Sequence, residues 1–133
     1  MRGLLLESVG GTPRLADLPE PVTTEPHAVV RVLAAGLNPV DLKMAADPAL
    51  PVPRVVGNEA VVKVSGRRAY AERTIAPHGS IAERAVVDPD LTIPLPEQLP
   101  DEAALAVGIA GLAAWVPLES VARLGRGETV VVL

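Results

Sequence analysis

The chemistry open to this chain is bounded first by what it lacks. It has no cysteine, so no thiolate is available as nucleophile or soft metal ligand. Its two histidines, His27 and His78, are far apart in sequence and fall in loops, which suits surface or capping roles better than a metal pair. There is no phosphate loop, no GxSxG elbow and no Ser/His/Asp set in a persuasive context, and Gly10–Gly11 opens no helix. What remains is amides and carboxylates in two short runs. Asn38 stands directly before Pro39, with Asp41 following, and Asn58 and Glu59 come directly after Gly57. Each has a local structural task to weigh against any work on a ligand. Asn38 is a good N-cap, Pro39 is harmless at the first helical position, and Asp41 favours the positive end of the helix. Asn58 and Glu59 are placed to satisfy turn backbone groups at a strand start.

The elements that must position these residues are mostly strands. Met1–Glu7 and Arg14–Leu18 read as a hairpin around Gly10 and Gly11, and Ala28–Leu37 is a long β-rich run with Val29, Val30 and Val32. A short helix begins at Pro39. Asp47–Arg54, with Pro48, Pro51 and Pro53, is an extended loop. Glu59–Val64, Arg68–Thr74 and Ser80–Val87 read as further strands, with a tight turn at Gly66 and Arg67. Pro89, Pro94, Pro96 and Pro100 punctuate an extended connection. Pro100–Arg123 is Ala- and Leu-rich and reads as helix, broken around Gly108 or Gly111. Thr129–Leu133 is a continuous apolar run, the pattern of a strand buried on both faces of a parallel sheet.

Composition narrows the class. The 133 residues are about one domain, 49% hydrophobic, yet with no Phe, one Tyr (Tyr70) and one Trp (Trp115). Fourteen prolines and eleven glycines suit short strands joined by turns rather than a helical bundle. A net charge of −4 argues against nucleic acid as the main partner; Arg67, Arg68 and Arg73 read as a solvated face interrupted by Glu72. The absence of cysteine is compatible with a reducing cytoplasm. No apolar segment of about 18 residues is free of charge or Pro, so no membrane span is expected. Trp115, beside a Gly-rich helix start, fits core or interface better than a stacking platform.

Six segments, in order, carry a resemblance: AAGLNPVDLK (34–43), VVGNEAVV (55–62), APHGSIAERAVV (76–87), IPLPEQLPDEAALAV (93–107), AGLAAW (110–115) and GETVVVL (127–133). In these pieces the chain resembles the medium-chain dehydrogenase/reductase superfamily, specifically its zinc-independent quinone oxidoreductase branch. The resemblance implies a mainly β fold with C-terminal helices (α+β), a GroES-like β-barrel. Residues 1–125 would be the catalytic, substrate-side domain, and residues 126–133 the first strand of a truncated Rossmann cofactor domain.

The same resemblance implies hydride transfer from NADPH to an electron-poor double bond in a quinone or enone. The positions matching Asn38 and Asn58 are Cys and His metal ligands in zinc-dependent relatives; two amides there imply no zinc. A metal-free site would position its acceptor by shape and a few hydrogen bonds, with proximity supplying much of the rate. Asn38 is the candidate amide toward the nicotinamide or the substrate carbonyl, with Pro39 beside it and Asp41 as a buttress. Asn58 and Glu59 are candidates to line the cleft, and Ala113 stands where relatives often have a Thr that touches cofactor or substrate. Two rival readings stand beside this one. A free-standing barrel would serve as a binding module or as a homo-oligomer paired through its C-terminal strand. A zinc alcohol dehydrogenase is disfavoured by the two asparagines.

Overall fold

The computed structural model describes residues 1–132. Two antiparallel sheets form the body. The first joins β1 (Arg2–Leu6), β2 (Arg14–Asp17) and β4 (Arg54–Val55) in the order β2-β1-β4. The second takes β3 (Ala28–Ala35), β5 (Ala60–Val64), β6 (Arg67–Ala71), β7 (Arg84–Val87) and β8 (Thr92–Pro94) in the order β7-β3-β5-β6-β8. Pro94 is tolerated because β8 is an edge strand, where a missing N–H breaks no internal ladder. The β5–β6 turn is a tight two-residue reversal: Ser65 (φ 47°) and Gly66 (φ 82°) are both left-handed, the geometry that matches the twist of the flanking strands.

Alternation along the strands builds a core of small side chains. Val30, Ala60, Val62, Ala69, Ala71, Ala85 and Val87 bury together on one face of the larger sheet. On its other face Val61, Tyr70 and Val86 are also buried. Here the sheet is covered by the helix that follows Pro100, which packs against β3 and β5. The sheet is therefore sandwiched at its centre and polar at its ends, the arrangement its mixed pattern requires.

Helix α1 (Pro39–Ala46) begins where expected, with Asn38 as its flanking residue. The long C-terminal helix, Asp101–Val121, is α-helical over α2 (Asp101–Leu105) and α3 (Leu112–Trp115). Wider π-type turns occupy Ala106–Gly111 and Val116–Val121. Of the two expected break points the structure uses Gly108, whose ψ of −125° is non-helical.

One expected element is corrected, and two features of the C-terminal helix bear on the others. Thr129–Val132 form no strand: a strand exists by pairing, none of the described strands lies beside them, and Val131 and Val132 are 77% and 88% exposed. Leu133 lies outside the described residues. The helix Asp101–Val121 is 21 residues long and its most apolar 18-residue window has mean hydropathy 1.7, long and apolar enough by that measure to cross a membrane. Asp101, Glu102, Pro117 and Glu119 interrupt it, as expected from the sequence. Pro117 lies inside it, and at its end the Ala122 N–H donates to the Pro117 carbonyl at 2.8 Å, a π-type bond. Trp115 is 63% exposed, which removes the core and leaves an interface of its two expected roles.

Candidate functional site

Glu59 is the centre of the site. It directly precedes β5, two residues after Gly57, whose φ of 95° lets the chain turn sharply before the strand. Its carboxylate is 1% exposed and accepts three hydrogen bonds. Asn38 Nδ2 donates to Oε1 at 2.5 Å, Tyr70 Oη donates to Oε2 at 2.6 Å, and the Ile109 backbone N–H donates to Oε2 at 3.1 Å. A buried carboxylate without such donors would be strongly destabilising. These three bonds tie α1, β6 and the kinked helix to the start of one strand.

Two glycines make the approach possible. A Cβ on Gly108 would lie 2.4 Å from Tyr70 Oη and 2.6 Å from Glu59 Oε2, and one on Gly36 would lie 2.3 Å from Glu59 Oε1. The kink at Gly108 turns the next N–H, that of Ile109, out of the helix ladder and toward the carboxylate. Burial of Tyr70, the hydrogen bond to Glu59 and that group's negative charge together push the Tyr70 phenol well above its ordinary value. It is a neutral donor across the physiological range.

Asn38 is the N-cap of α1, as expected, and Asp41 in the first turn completes the cap. The Asn38 side chain turns to Glu59, and the side chain that closes the helix start is Asp41. Its Oδ2 accepts from the Asn38 N–H at 2.7 Å, while the Asp41 N–H donates to the Asn38 carbonyl at 2.9 Å. Asp41 is thereby buried at 6% exposure. At the other end of α1 the buried Arg54 guanidinium donates to the Met44 carbonyl, capping the last turn.

Asp41 and Asn58 share a small hollow of about 50 Å³ with Met44, Arg54, Gly57 and Thr74. Asn38, Asp41, Asn58 and Glu59 are thus brought together, with Pro39 as the first residue of the helix that carries Asp41. Ala113 is not part of this cluster's bonding; it lies exposed on α3, about one turn beyond Ile109. Sequence reasoning missed Tyr70 and the part the Gly108 break plays in turning the Ile109 N–H toward Glu59. The available signal was Tyr70 itself, a lone phenol in an Ala/Arg strand, because a buried Tyr hydroxyl must find a partner. Among the described residues no group of three or more acidic or histidine side chains is arranged to hold a metal.

Comparison with known proteins gives this geometry a lineage. The chain matches a solved quinone oxidoreductase from Thermus thermophilus at 37% identity and a TM-score of 0.78, covering 96% of this chain and 42% of that one. Its relatives and structural neighbours are quinone oxidoreductases and other members of the medium-chain dehydrogenase/reductase superfamily. Mouse prostaglandin reductase-3 is 32% identical over 128 residues, 87% of this chain and 33% of that protein. The quinone oxidoreductase of Pongo abelii is 29% identical over 149 aligned positions, 99% of this chain and 45% of that protein. No family model matches the chain. The chain thus spans between a third and a half of the length of these relatives. The mainly β body with its C-terminal helix is the GroES-like domain of the superfamily.

Proposed function

We propose that this chain is the substrate-side barrel of an NADPH-dependent quinone or enone oxidoreductase. The observation that supports it best is the buried Glu59 network, which holds the Asn38 amide rigidly at the start of α1. One Nδ2 hydrogen is given to Glu59, and the amide keeps a second N–H that a ligand carbonyl, of the nicotinamide or of the substrate, would accept from. The quinone oxidoreductase from Thermus thermophilus was solved with NADPH, which supports a nicotinamide cofactor here.

The described residues do not by themselves fit a dinucleotide. The hollow beside Asp41 and Asn58 has room for a water or two, not a nicotinamide ring. They also hold no glycine-rich turn leading from a strand into a helix. Residues 1–125 would therefore form the substrate-side domain and 126–133 the approach to a cofactor domain, and alone they would turn nothing over. Hydride supply belongs to the cofactor; this barrel's part is to orient and to exclude water. The experiment is a steady-state assay of NADPH oxidation by quinones, using the protein in which these residues are joined to a nicotinamide-binding domain. Asn38→Ala is expected to lower kcat/KM about tenfold or more, the scale of one lost positioning contact. Wild-type activity with no effect of the substitution would remove Asn38 from the site.

One observation favours a second reading, a barrel that binds a partner or a second copy. Val107, Leu112, Trp115 and Val121 are each at least half exposed along the helix, which is unusual for an isolated surface.

A further inference from the structure

The larger sheet carries a row of cations that single-strand inspection does not reveal. Arg84 on β7 stands directly opposite Arg31 on β3, Arg31 opposite Lys63 on β5, and Lys63 opposite Arg68 on β6. Directly paired residues in antiparallel strands project to the same side, so four positive side chains lie abreast at one end of one face. Like charges so placed repel, and the chain as a whole is acidic, with a net charge of −4. The row is a local concentration against the general balance.

Only its ends are neutralised. Arg84 meets Glu20 at 2.8 Å, and Arg68 is bound to Asp101 and to the carbonyls of Glu97 and Leu99. Among the described residues neither Arg31, Lys63 nor Arg67 has a carboxylate within ion-pair distance. These three line a groove of about 750 Å³ beyond the start of the C-terminal helix, with Leu33, Pro94 and Leu95 as apolar wall. Leu33, two residues beyond Arg31, projects to the same side of β3, at the point where the β3–β5 register shifts between Val32 and Ala34. Glu97 is the one acid among the lining residues.

We propose that this groove is an anion site, separate from the Glu59 cluster, for a small organic molecule bearing a phosphate or pyrophosphate. Arg31 and Lys63 would take the charged oxygens, with Arg67 closing from the β5–β6 turn, and Leu33 and Leu95 would pack the organic part. Two free cations side by side match a doubly charged group better than a single carboxylate. The groove's volume suits a small ligand.

The test uses inorganic pyrophosphate as probe, titrated into the purified chain at constant ionic strength while backbone amides of Val32, Leu33 and Val64 are followed by NMR. The expected result is a saturable shift at these amides that sodium chloride at matched ionic strength does not produce. Arg31→Gln and Lys63→Gln should each weaken binding about fivefold or more. Both side chains are at the surface, so both variants should fold. Each should melt about 2 °C or more above wild type, because neutralising one member of the row relieves repulsion. No saturation at about 10 mM pyrophosphate, or equal binding in both variants, would overturn the site. Tighter binding of an acidic peptide or an oligonucleotide than of pyrophosphate, with the same dependence on Arg31 and Lys63, would overturn the small-ligand assignment.

Discussion

At the scale of single residues, the carboxylate of Glu59 is tolerated inside the protein only because Asn38, Tyr70 and the Ile109 N–H all point at it. Glu59→Ala should cost about 3 kcal/mol or more in urea denaturation, since it strands three donors and leaves a cavity. Glu59→Gln should cost nearer 1 kcal/mol. Its remaining oxygen can accept from Tyr70 and Ile109, while the Asn38 amide turns over to accept from the new NH₂. Equal losses in the two variants would mean that hydrogen bonding is not what secures this position. Tyr70 adds a pH prediction. Its folded-state value is raised, so its stabilising contribution is complete below the unfolded phenol's value of about 10 and is lost as pH rises from there toward the folded value. Absorbance titration of this single tyrosine should show phenolate appearing only together with unfolding; ordinary ionisation near pH 10 in a chain still folded would contradict the buried bond. Asn38, Asp41 and Glu59 were legible in the sequence as polar residues at element starts. Tyr70 was not, because its meeting with Glu59 depends on the β5–β6 register, which no local pattern specifies.

At the scale of elements, the kink in the C-terminal helix links the barrel to the site. A Cβ at Gly108 would meet Tyr70 and Glu59, whereas at Gly111 the nearest contact is the Ala106 carbonyl oxygen at 3.0 Å. Gly108→Ala should therefore lose about 2 kcal/mol or more of thermal or denaturant stability, and Gly111→Ala about 1 kcal/mol or less. Similar losses in both would place the tight spot elsewhere. Strand existence was readable from Val-rich runs and turn residues, and the helix from its Ala/Leu composition. Two things were not. Composition left Gly108 and Gly111 equivalent as break points, and only packing against Glu59 distinguishes them. The run Thr129–Leu133 has the composition of a buried strand, but pairing is a property of neighbours and none is present among the described residues.

At the scale of the whole molecule, a GroES-like body presents one rigid polar cluster beside α1 and one apolar helix whose outer face is uncovered in this structure. Trp115, Val107 and Val121 on that face are 63%, 68% and 76% exposed. The superfamily relationship was visible in six ordered segments because turn and strand-start residues recur where backbone geometry demands them. The exposed helix was less visible, since its residues have the same composition as a core helix. The most direct test of the proposed division of labour is titration of the purified chain with NADPH, followed by nicotinamide fluorescence and by binding heat. No saturable binding in the micromolar range is expected, because among the described residues no glycine-rich turn leads from a strand into a helix. Saturable, stoichiometric binding at micromolar NADPH would show that these residues build a cofactor site by themselves, and the reading of this chain as the substrate side alone would be wrong.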